Sequence, residues 1–322
     1  MARILITGAA GMIGSHLMEI LAARGERDMI GTYHLPTIDI AELCPSLRLA
    51  PLDVRDAGAV FGAIDHHRPG TIYHLAAQSL PTQSWAAPWA TLETNVQGTV
   101  NLFEAIKHIR ETDSGYDPMV VVACSSAQYG ASLAASAAPV SEDVTPLPMH
   151  PYGVSKVAQD LLAYQYFRNN GIRSIRARIF NCTGPRKRAD VVSDFASRVA
   201  RIMRGGNAAL RVGNIETRRA IIDVRDLVQA LILLTEFGDP GEAYNICADT
   251  AHRIGDLIPL FERFSGIRLH PEVDPSLLRP SDEACILGST DRLKQRTGWR
   301  QSISIEATMQ SVLNYELAHL QA

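Results

Sequence analysis

A tyrosine and a lysine stand four residues apart in the segment Tyr152-Gly-Val-Ser-Lys156, at the start of a predicted helix. Residues at this spacing share one face of a helix. A lysine ammonium beside a phenol favours the phenolate, so we expect the pKa of Tyr152 to fall below its unperturbed value of about 10. Such a tyrosine can exchange a proton with a hydroxyl or carbonyl group near neutral pH. The pair therefore predicts proton transfer to or from an oxygen.

Two serines end the predicted strand before this helix, in Cys124-Ser125-Ser126. A hydroxyl at a strand end can hydrogen-bond the reacting oxygen and orient it toward Tyr152. We predict this role for Ser125 and a substrate contact for Ser126. Asn95 is a candidate for fixing the lysine or a water, and a purely structural role for it is equally consistent with the sequence.

Three glycines follow the first predicted strand and open the first predicted helix, with the spacing GxxGxxG at Gly8, Gly11 and Gly14. Glycines in this position give a tight turn, close approach of the backbone to a pyrophosphate, and a helix N-terminus aimed at negative charge. Simple turn chemistry is the alternative. The location after the first strand favours a dinucleotide site.

The end of the second predicted strand reads Gly31-Thr32-Tyr33-His34 and contains no acid. An acid there would bind the ribose hydroxyls of NAD, whereas a basic group favours the phosphate of NADP. Thr32 and His34 therefore favour NADP(H) over NAD(H), although a solvated His34 without a role fits equally well. Asp53 ends the third strand, where it either meets the adenine or caps the next helix.

These residues need a scaffold that gathers strand ends at one edge. Short runs rich in Val, Ile and Leu alternate with longer helical stretches, which predicts an α/β fold with a doubly wound parallel sheet covered by helices on both faces. Ligands bind beyond the carboxyl ends of the strands of such a sheet. We predict strands over residues 3–7, 29–33, 47–53, 71–77, 119–125, 174–180 and 243–247, and helices over residues 14–24, 57–67, 91–110 and 152–170.

The alternation loosens after residue 180, where Pro, Gly and Arg become frequent. We predict that residues 1–180 mainly form the cofactor-binding domain, with segments returning to it at about 220–248. Within that stretch, residues 220–226 and 243–247 are expected to rejoin the sheet. Residues 181–219 and 249–322 are predicted to form a smaller, irregular substrate-binding lobe.

The composition is ordinary for a globular enzyme of 322 residues, with 46% hydrophobic and 20% charged residues. A net charge of -3 provides no overall basic field for nucleic acid. No apolar run approaches a membrane span or the core of a signal peptide, which predicts a cytoplasmic protein. The five cysteines are scattered and include no CxxC, so we expect neither a disulfide framework nor a metal site.

The chain resembles the extended short-chain dehydrogenase/reductase family of nucleotide-sugar enzymes over essentially its whole length. The segments that carry the resemblance are GAAGMIGSHL, LDVRD, YHLAAQS, ETNVQGTVNLFEA, CSSAQYG, YGVSK and RIFNCTGP. In the second half, VGNIETRRAIIDVRDLVQA, AYNICA and LRPSDEACILGSTDRLKQRTGW are similar to GDP-mannose 4,6-dehydratases and, still more, to GDP-4-keto-6-deoxymannose reductases. The resemblance implies a modified Rossmann fold, a nicotinamide cofactor and a nucleotide-sugar substrate, with a GDP sugar favoured.

The resemblance also implies roles for residues at matching positions. The catalytic residues would be Ser125, Tyr152 and Lys156. The cofactor would contact Gly8, Gly11, Met12, Ile13, Gly14, Asp53, Val54, Leu75, Ala76, Ala77 and Phe180. The sugar and the nucleotide diphosphate would contact Ser79, Ser84, Asn181, the stretch 191–195 that begins at Val191, Asn214, Arg219, Arg279 and Asp282. Arginine suits this work because it binds phosphate in a bidentate manner.

Two positions depart from the family pattern. The dehydratases carry a glutamate two residues after the catalytic hydroxyl residue, where it removes a proton from sugar C5. Here that position is Ala127, which cannot act as a base, and the neighbouring Gln128 does not titrate. The family's aspartate after Arg219 is also absent, because Ala220 follows. The first departure favours reduction over elimination.

Three hypotheses follow. The first is a reductase that transfers hydride from NAD(P)H to C4 of a GDP-4-keto-6-deoxyhexose and gives a product of the GDP-rhamnose type. The second is a nucleotide-sugar 4-epimerase that uses the same three residues and keeps its NAD bound; a GDP-mannose 4,6-dehydratase is the less favoured enzyme alternative. The third is a cofactor sensor or scaffold without turnover, against which the intact Ser125, Tyr152 and Lys156 argue.

The predicted helices 91–110 and 152–170 carry apolar residues beyond a single stripe. In the family that the chain resembles, these helices pair across a two-fold axis as a four-helix bundle, which predicts a homodimer. Deeper packing within the monomer is the alternative. The residues concerned are Val96, Val100, Phe103, Ile106, Leu161, Leu162, Tyr166 and Phe167.

Overall fold

The centre of the protein is a seven-stranded parallel sheet in a computed structural model that describes residues 3–135, 139–206, 209–278 and 283–320. The strand order is β3-β2-β1-β4-β5-β6-β11, the doubly wound arrangement with one added strand. These strands are β1 (Ile4–Thr7), β2 (Met29–Tyr33), β3 (Leu49–Pro51), β4 (Thr71–His74), β5 (Met119–Ser125), β6 (Ser174–Ile179) and β11 (Ala243–Ile246). The predicted fold class is confirmed.

Shorter strands lie outside this sheet in three small ladders. They are β7 (Cys182–Thr183) with β10 (Ile222–Asp223), β9 (Arg218–Ala220) with β12 (Ala251–Arg253) and β14 (Cys285–Ile286), and β8 (Ala209–Val212) with β13 (His270–Val273).

Helices cover both faces of the sheet and build the region beyond it. They are α1 (Met12–Ala23), α2 (Ala57–His67), α3 (Pro81–Ala86), α4 (Pro88–Leu92), α5 (Gly98–Thr112), α6 (Ala131–Ala135), α7 (Pro151–Asn170), α8 (Val191–Met203), α9 (Val224–Phe237), α10 (Ile258–Ser265), α11 (Asp291–Thr297) and α12 (Ile305–His319). A π-helical turn, Glu93–Gln97, joins α4 to α5.

Two strands have the bounds predicted from the sequence, and a third is shorter than predicted. Strands β2 and β5 have the predicted bounds, and every residue of β5 is buried. Strand β4 ends at His74, three residues before the prediction, because Ala76 N–H donates to Thr7 Oγ1 at 3.2 Å and leaves the ladder. The predicted helix 91–110 is interrupted by the π-helical turn.

The prediction that residues 220–226 rejoin the central sheet is wrong. Strand β10 pairs instead with β7, and helix α9 begins at once after it. The reason is local, because Asp223 is the N-cap of α9 and its side chain accepts from Arg225 N–H at 2.8 Å. Strand β11 does join the sheet, beside β6.

A separate cluster of buried apolar residues lies outside the sheet. Helices α8, α10 and α12 contribute Phe195, Phe261 and Met309 to it, and the phenyl rings of Phe195 and Phe261 meet edge to face. Helix α8 is strongly amphipathic and starts with a capping box between Asp190 and Ser193. This cluster supplies the region after β6 with a core of its own.

A buried ion pair fastens helix α7 to strand β6. Arg176 and Arg178 are two residues apart on the strand, so their side chains leave the same face of the sheet. Arg178 Nε donates to Asp160 Oδ1 at 2.8 Å, and Arg176 Nη1 donates to Asp160 Oδ2 at 2.8 Å. Burial alone would raise the pKa of Asp160, but the two guanidinium groups outweigh it and hold that pKa below its usual value.

Three further observations concern membrane-spanning helices, cysteine thiols and metal ligands. Among the described helices, none combines the length and apolar character needed to cross a membrane. The five cysteines are all free thiols, and three of them, Cys124, Cys182 and Cys247, are buried. No cluster of three or more potential metal ligands occurs within the described part of the chain.

Replacing Asp160 by Asn should lower the free energy of unfolding by about 3 to 5 kcal/mol, because the buried guanidinium of Arg178 and the half-buried one of Arg176 lose their counter-ion. Chemical denaturation of the purified protein measures this change. The matched control is Asp28→Asn, since Asp28 also binds two arginines, Arg3 and Arg48, but at the surface. We expect the control to leave the free energy of unfolding nearly unchanged, because solvent screens this exposed pair. Equal losses in the two variants would contradict the assignment.

Candidate active site

The carboxyl edge of the sheet brings the predicted site segments together. The glycine turn follows β1, Leu75–Ala77 follow β4, and Ser125 ends β5. Phe180 and Asn181 follow β6. Because β1, β4, β5 and β6 are neighbours in the sheet, these segments line one continuous edge.

The glycine turn is required by close backbone packing. Gly8 has φ +73, and a Cβ there would lie 2.7 Å from Ala76 N. A Cβ at Gly14 would overlap Gly8 O. Gly11 is the N-cap of α1 and supplies no side-chain cap, so the first-turn N–H groups, including those of Met12 and Ile13, have no side-chain partner. The turn and the helix end fit a pyrophosphate.

The end of β2 also fits a cofactor. The Thr32 hydroxyl is buried and has no hydrogen-bond partner. His34 lies 3.7 Å from Asp53, and Arg55 Nε and Nη2 bind the same carboxylate. The hydrogen bonds from Arg55 lower the pKa of Asp53. Asp56 is the residue that caps helix α2, because its side chain accepts from Ala59 N–H. The prediction that Asp53 caps this helix is therefore wrong.

Helix α7 carries Tyr152 and Lys156 on its buried face. Pro151 occupies the first turn and His150 is the N-cap, with Nδ1 accepting from Gly153 N–H at 3.0 Å. A Cβ at Gly153 would lie 2.7 Å from Ala127 O, so glycine lets the helix approach the segment after β5. Lys156 Nζ lies 5.7 Å from the centre of the Tyr152 ring.

The three predicted catalytic side chains meet in the structure. The Ser125 side chain interacts with the Tyr152 hydroxyl and lowers the pKa of Tyr152. Ser125 Oγ also accepts from Ala127 N–H at 3.2 Å. Lys156 Nζ donates to Ala123 O and to Gln159 Oε1, both at 2.7 Å. The arrangement can place a protonated phenol, a hydroxyl and an ammonium group around one reacting oxygen.

The expectation that Lys156 depresses the pKa of Tyr152 is wrong. Burial raises the pKa of Tyr152 to about 12, against the hydrogen bond with Ser125, which lowers it. Burial also lowers the pKa of Lys156 to about 8. The tyrosine is therefore protonated at neutral pH, while the lysine is mostly charged.

Asn95 and its surroundings were only partly anticipated. Asn95 Oδ1 accepts from Gln78 N–H, and Nδ2 donates to Gln78 O and Ser155 Oγ, so it fastens α7 to the segment after β4 rather than binding Lys156. Sequence reasoning missed Gln159, the buried partner of Lys156. Its one signal was the spacing of three residues from Lys156 on the same helix.

The predicted substrate residues are spread over several elements. Ser79 is exposed, Ser84 is buried with its hydroxyl donating to Pro81 O, and Ser126 is buried. The Asn181 side-chain nitrogen is buried without a partner, which leaves a donor for a ligand. Arg279 and Asp282 lie outside the described residues.

Other predicted contacts occupy positions with clear local roles. Val191 is the first residue of α8. Asn214 Oδ1 accepts from Glu216 N–H, and Arg219 Nη1 donates to Glu283 O at 2.7 Å. The ring of Phe180 is buried, and a Cβ at Gly288 would strike it.

Two buried carboxylates near β5 and β6 are already bound. Glu142 Oε1 accepts from Asn245 N–H at 2.7 Å, and Asp160 is paired with Arg176 and Arg178. Neither supplies a free base. Ala127, between Ser126 and the buried Gln128, contributes no titrating group to the site.

Comparison with known proteins gives the family. Residues 5–312 match the family model of GDP-mannose 4,6 dehydratase. The chain belongs to this family. It is 31% identical over 314 residues to the GDP-6-deoxy-D-mannose reductase of Pseudomonas aeruginosa, which covers 97% of this chain and 96% of the relative. It is 26% identical over 328 residues to GDP-mannose 4,6 dehydratase 1 of Arabidopsis thaliana, with 97% and 89% covered.

Solved structures agree with this assignment. RMD from Pseudomonas aeruginosa in complex with NADPH superposes with a TM-score of 0.83 at 27% identity, covering 99% of this chain and 100% of that one. UDP-glucose 4-epimerase from Thermotoga maritima with UDP-glucose superposes with a TM-score of 0.89 at 26% identity, with the same coverage. The predictions of an extended short-chain dehydrogenase/reductase, a nicotinamide cofactor and nucleotide-sugar chemistry are confirmed.

Replacing Gly8 by Ala should destabilise the protein by about 2 to 4 kcal/mol, because the new Cβ meets Ala76 N and the positive φ strains an L-residue. It should also abolish NADPH binding as measured by calorimetry. Gly62→Ala is the matched control, since Gly62 lies inside helix α2 with open space around it. The control should bind NADPH normally and be stabilised by about 0.5 to 1 kcal/mol. Normal NADPH binding by the Gly8 variant would refute the prediction.

Proposed function

We propose that the protein reduces the C4 keto group of a GDP-4-keto-6-deoxyhexose and forms a product of the GDP-rhamnose type. The observation that carries this proposal is Ala127, which stands where the dehydratases have a glutamate base. Without that base, a proton cannot be removed from sugar C5, whereas carbonyl reduction needs only a proton donor. The full-length similarity to a GDP-6-deoxy-D-mannose reductase supports the same reaction.

Three side chains divide the proton chemistry. Tyr152, whose pKa is raised to about 12 by burial, stays protonated and donates its proton to the C4 oxygen. Ser125, whose side chain interacts with the Tyr152 hydroxyl, holds and orients the same oxygen. Lys156, whose pKa of about 8 keeps it mostly charged at neutral pH, stabilises the phenolate that forms.

The cofactor would be held along the glycine turn and the ends of β2, β3, β4 and β6. When bound there, NAD(P)H would supply hydride for the reduction of C4. We favour NADP(H), because the end of β2 carries the buried Thr32 hydroxyl and His34 but no acid. The residues proposed to line the site are Gly8, Gly11, Met12, Ile13, Gly14, Thr32, His34, Asp53, Val54, Leu75, Ala76, Ala77, Tyr152, Lys156 and Phe180.

The nucleotide sugar would lie between the sheet edge and the region formed by residues 181–219 and 249–322. Its support is the unpaired Asn181 donor beyond β6 and the arginine at Arg219. The residues proposed to contact it are Ser79, Ser84, Ser126, Asn181, Val191, Asn214, Arg219, Arg279 and Asp282.

A nucleotide-sugar 4-epimerase is the second candidate. The superposition on a UDP-glucose 4-epimerase at a TM-score of 0.89 favours it. The same Ser125, Tyr152 and Lys156 would serve both directions of a hydride transfer. Tightly bound NAD after purification, with no net consumption of added NADPH, would support the epimerase over the reductase.

The purified protein should oxidise NADPH when GDP-4-keto-6-deoxymannose is added, as followed by NADPH absorbance. Tyr152→Phe should lower kcat by about a hundredfold to ten-thousandfold, because the proton donor is lost. Tyr164→Phe is the matched control, since Tyr164 is an exposed tyrosine on the same helix, and it should leave kcat unchanged. No oxidation by the wild-type protein would reject the reductase, and an unchanged rate in the Tyr152 variant would remove it as proton donor.

We also propose a homodimer built from α5 and α7 as a four-helix bundle. Of the eight apolar residues considered for this role, Phe103, Ile106 and Tyr166 are buried within the monomer, so the monomer-packing alternative holds for these three. Leu161 is 56% exposed, and Val154 on the same helix is 48% exposed. Such residues favour a partner surface along α7.

Replacing Leu161 by Asp should convert the dimer to a monomer, because a carboxylate would be buried in an apolar interface. Size-exclusion chromatography with light scattering should give twice the chain mass of 35.1 kDa for the wild type and the single mass for the variant. Leu35→Asp changes another exposed leucine, away from α7, and should stay dimeric. A wild-type protein of single mass would refute the dimer.

We further propose a cytoplasmic location. The five unpaired cysteine thiols suit a reducing compartment. The proposed reaction uses a nicotinamide cofactor and a nucleotide sugar, so the protein needs access to both.

A further inference from the structure

A buried chain of polar side chains leads from Lys156 to the end of strand β1. Lys156 Nζ donates to Gln159 Oε1 at 2.7 Å, and Gln159 Nε2 donates to Thr99 Oγ1 at 2.7 Å. Thr99 Oγ1 contacts His74 Nε2 at 3.1 Å, and His74 Nδ1 contacts Thr7 Oγ1 at 2.9 Å. All five side chains are at most 3% exposed.

The direction of each hydrogen bond in this chain is determined. The Thr99 hydroxyl donates its single hydrogen to Asn95 O at 2.7 Å. Its oxygen can therefore only accept from Gln159 and His74. His74 therefore carries its proton on Nε2, and Nδ1 accepts from the Thr7 hydroxyl. Thr7 Oγ1 in turn accepts from the N–H of Ala76. Burial lowers the pKa of His74 to about 3, which agrees with a neutral ring.

This order leaves Gln159 only one orientation. Its amide nitrogen must face Thr99, so its oxygen must face Lys156. The ammonium of Lys156 has three hydrogens, and Gln159 Oε1 and Ala123 O accept two of them. One hydrogen remains for the side of the site where Tyr152 lies.

We propose that Gln159 is a positioning residue that orients the Lys156 ammonium toward Tyr152, and that Thr99 and His74 hold the Gln159 amide in the required orientation. The proposal rests on the proposed function for its effect on turnover. The orientation itself is a property of the protein alone.

The other charged and titratable groups around Lys156 do not substitute for Gln159. Tyr152 lies on the same helix, and the buried Cys124 lies on β5. His74 on β4 is neutral, as derived above. Asp160, one residue after Gln159, is already paired with Arg176 and Arg178 from β6. Gln159 Oε1 and Ala123 O are therefore the acceptors that stabilise the ammonium form.

The test is a pH titration of the lysine side chains by NMR with 13C at Cε. The chain has four lysines, Lys107, Lys156, Lys187 and Lys294, so replacing the other three by Arg one at a time assigns every signal. In the wild-type protein we expect Lys156 to titrate at about 8. Gln159→Met, which keeps the size but removes the acceptor, should lower that pKa by about one unit, and Gln159→Glu should raise it by about one unit or more.

Two further variants complete the design. Thr99→Val removes the oxygen that accepts from the Gln159 amide and should move the Lys156 midpoint in the same direction as Gln159→Met. Gln165→Leu removes an exposed glutamine from the same helix and should leave the midpoint unchanged. If the Lys156 midpoint is the same in wild-type, Met and Glu proteins, Gln159 only fills space and the proposal is wrong.

Turnover gives the second readout. The alkaline decline of kcat should move to lower pH in Gln159→Met and to higher pH in Gln159→Glu, by the shifts seen in the NMR titration. A purely structural defect would lower kcat at every pH without moving this limb, and that result would count against the proposal. Absence of turnover in the wild-type protein, with the NMR shifts intact, would reject the reductase but support the positioning role.

Discussion

Two buried charges on one face of helix α7, the ammonium of Lys156 and the carboxylate of Asp160, determine how this helix can lie on the sheet. Each charge needs a partner, because leaving either one unpaired in the interior would cost several kcal/mol. Asp160 finds arginines on β6, and Lys156 finds the carbonyl of Ala123 on β5. A helix pinned to two adjacent strands cannot slide or rotate. Tyr152, on the same helix, is thereby held against Ser125 at the end of β5.

The parts of the fold that could be predicted from sequence are those encoded locally. Strand β5 is a run of apolar and small residues. Helix α7 begins at a proline and is followed by a glycine in the left-handed region, so the sequence indicates both ends of this helix. The spacing of Tyr152 and Lys156 is likewise a local property. Residues 220–226 have the composition of a strand, but a helix cap at Asp223 decides their conformation.

The parts that could not be predicted depend on long-range contacts. His74, Thr99 and Gln159 come from three elements and look like isolated core polar residues in the sequence, and only the fold brings them into one chain of hydrogen bonds. The pKa of Tyr152 depends on long-range contacts in the same way. The sequence shows that Lys156 lies near Tyr152. It does not show that Tyr152 is buried or which acceptors bind the ammonium hydrogens of Lys156, because both depend on the folded interior.

The π-helical turn Glu93–Gln97 has a consequence for how the helical stretch between Pro88 and Thr112 accommodates change. A π-turn widens one helical turn by a residue, so the stretches before and after it keep independent rotational phases. The turn itself is fastened by Asn95, which donates to Ser155 Oγ, and the later stretch packs on the core under α5. If this turn tightened to regular α-helical geometry without losing a residue, one stretch would turn by about 100° relative to the other. The widened turn therefore lets the two helical stretches face different packing surfaces.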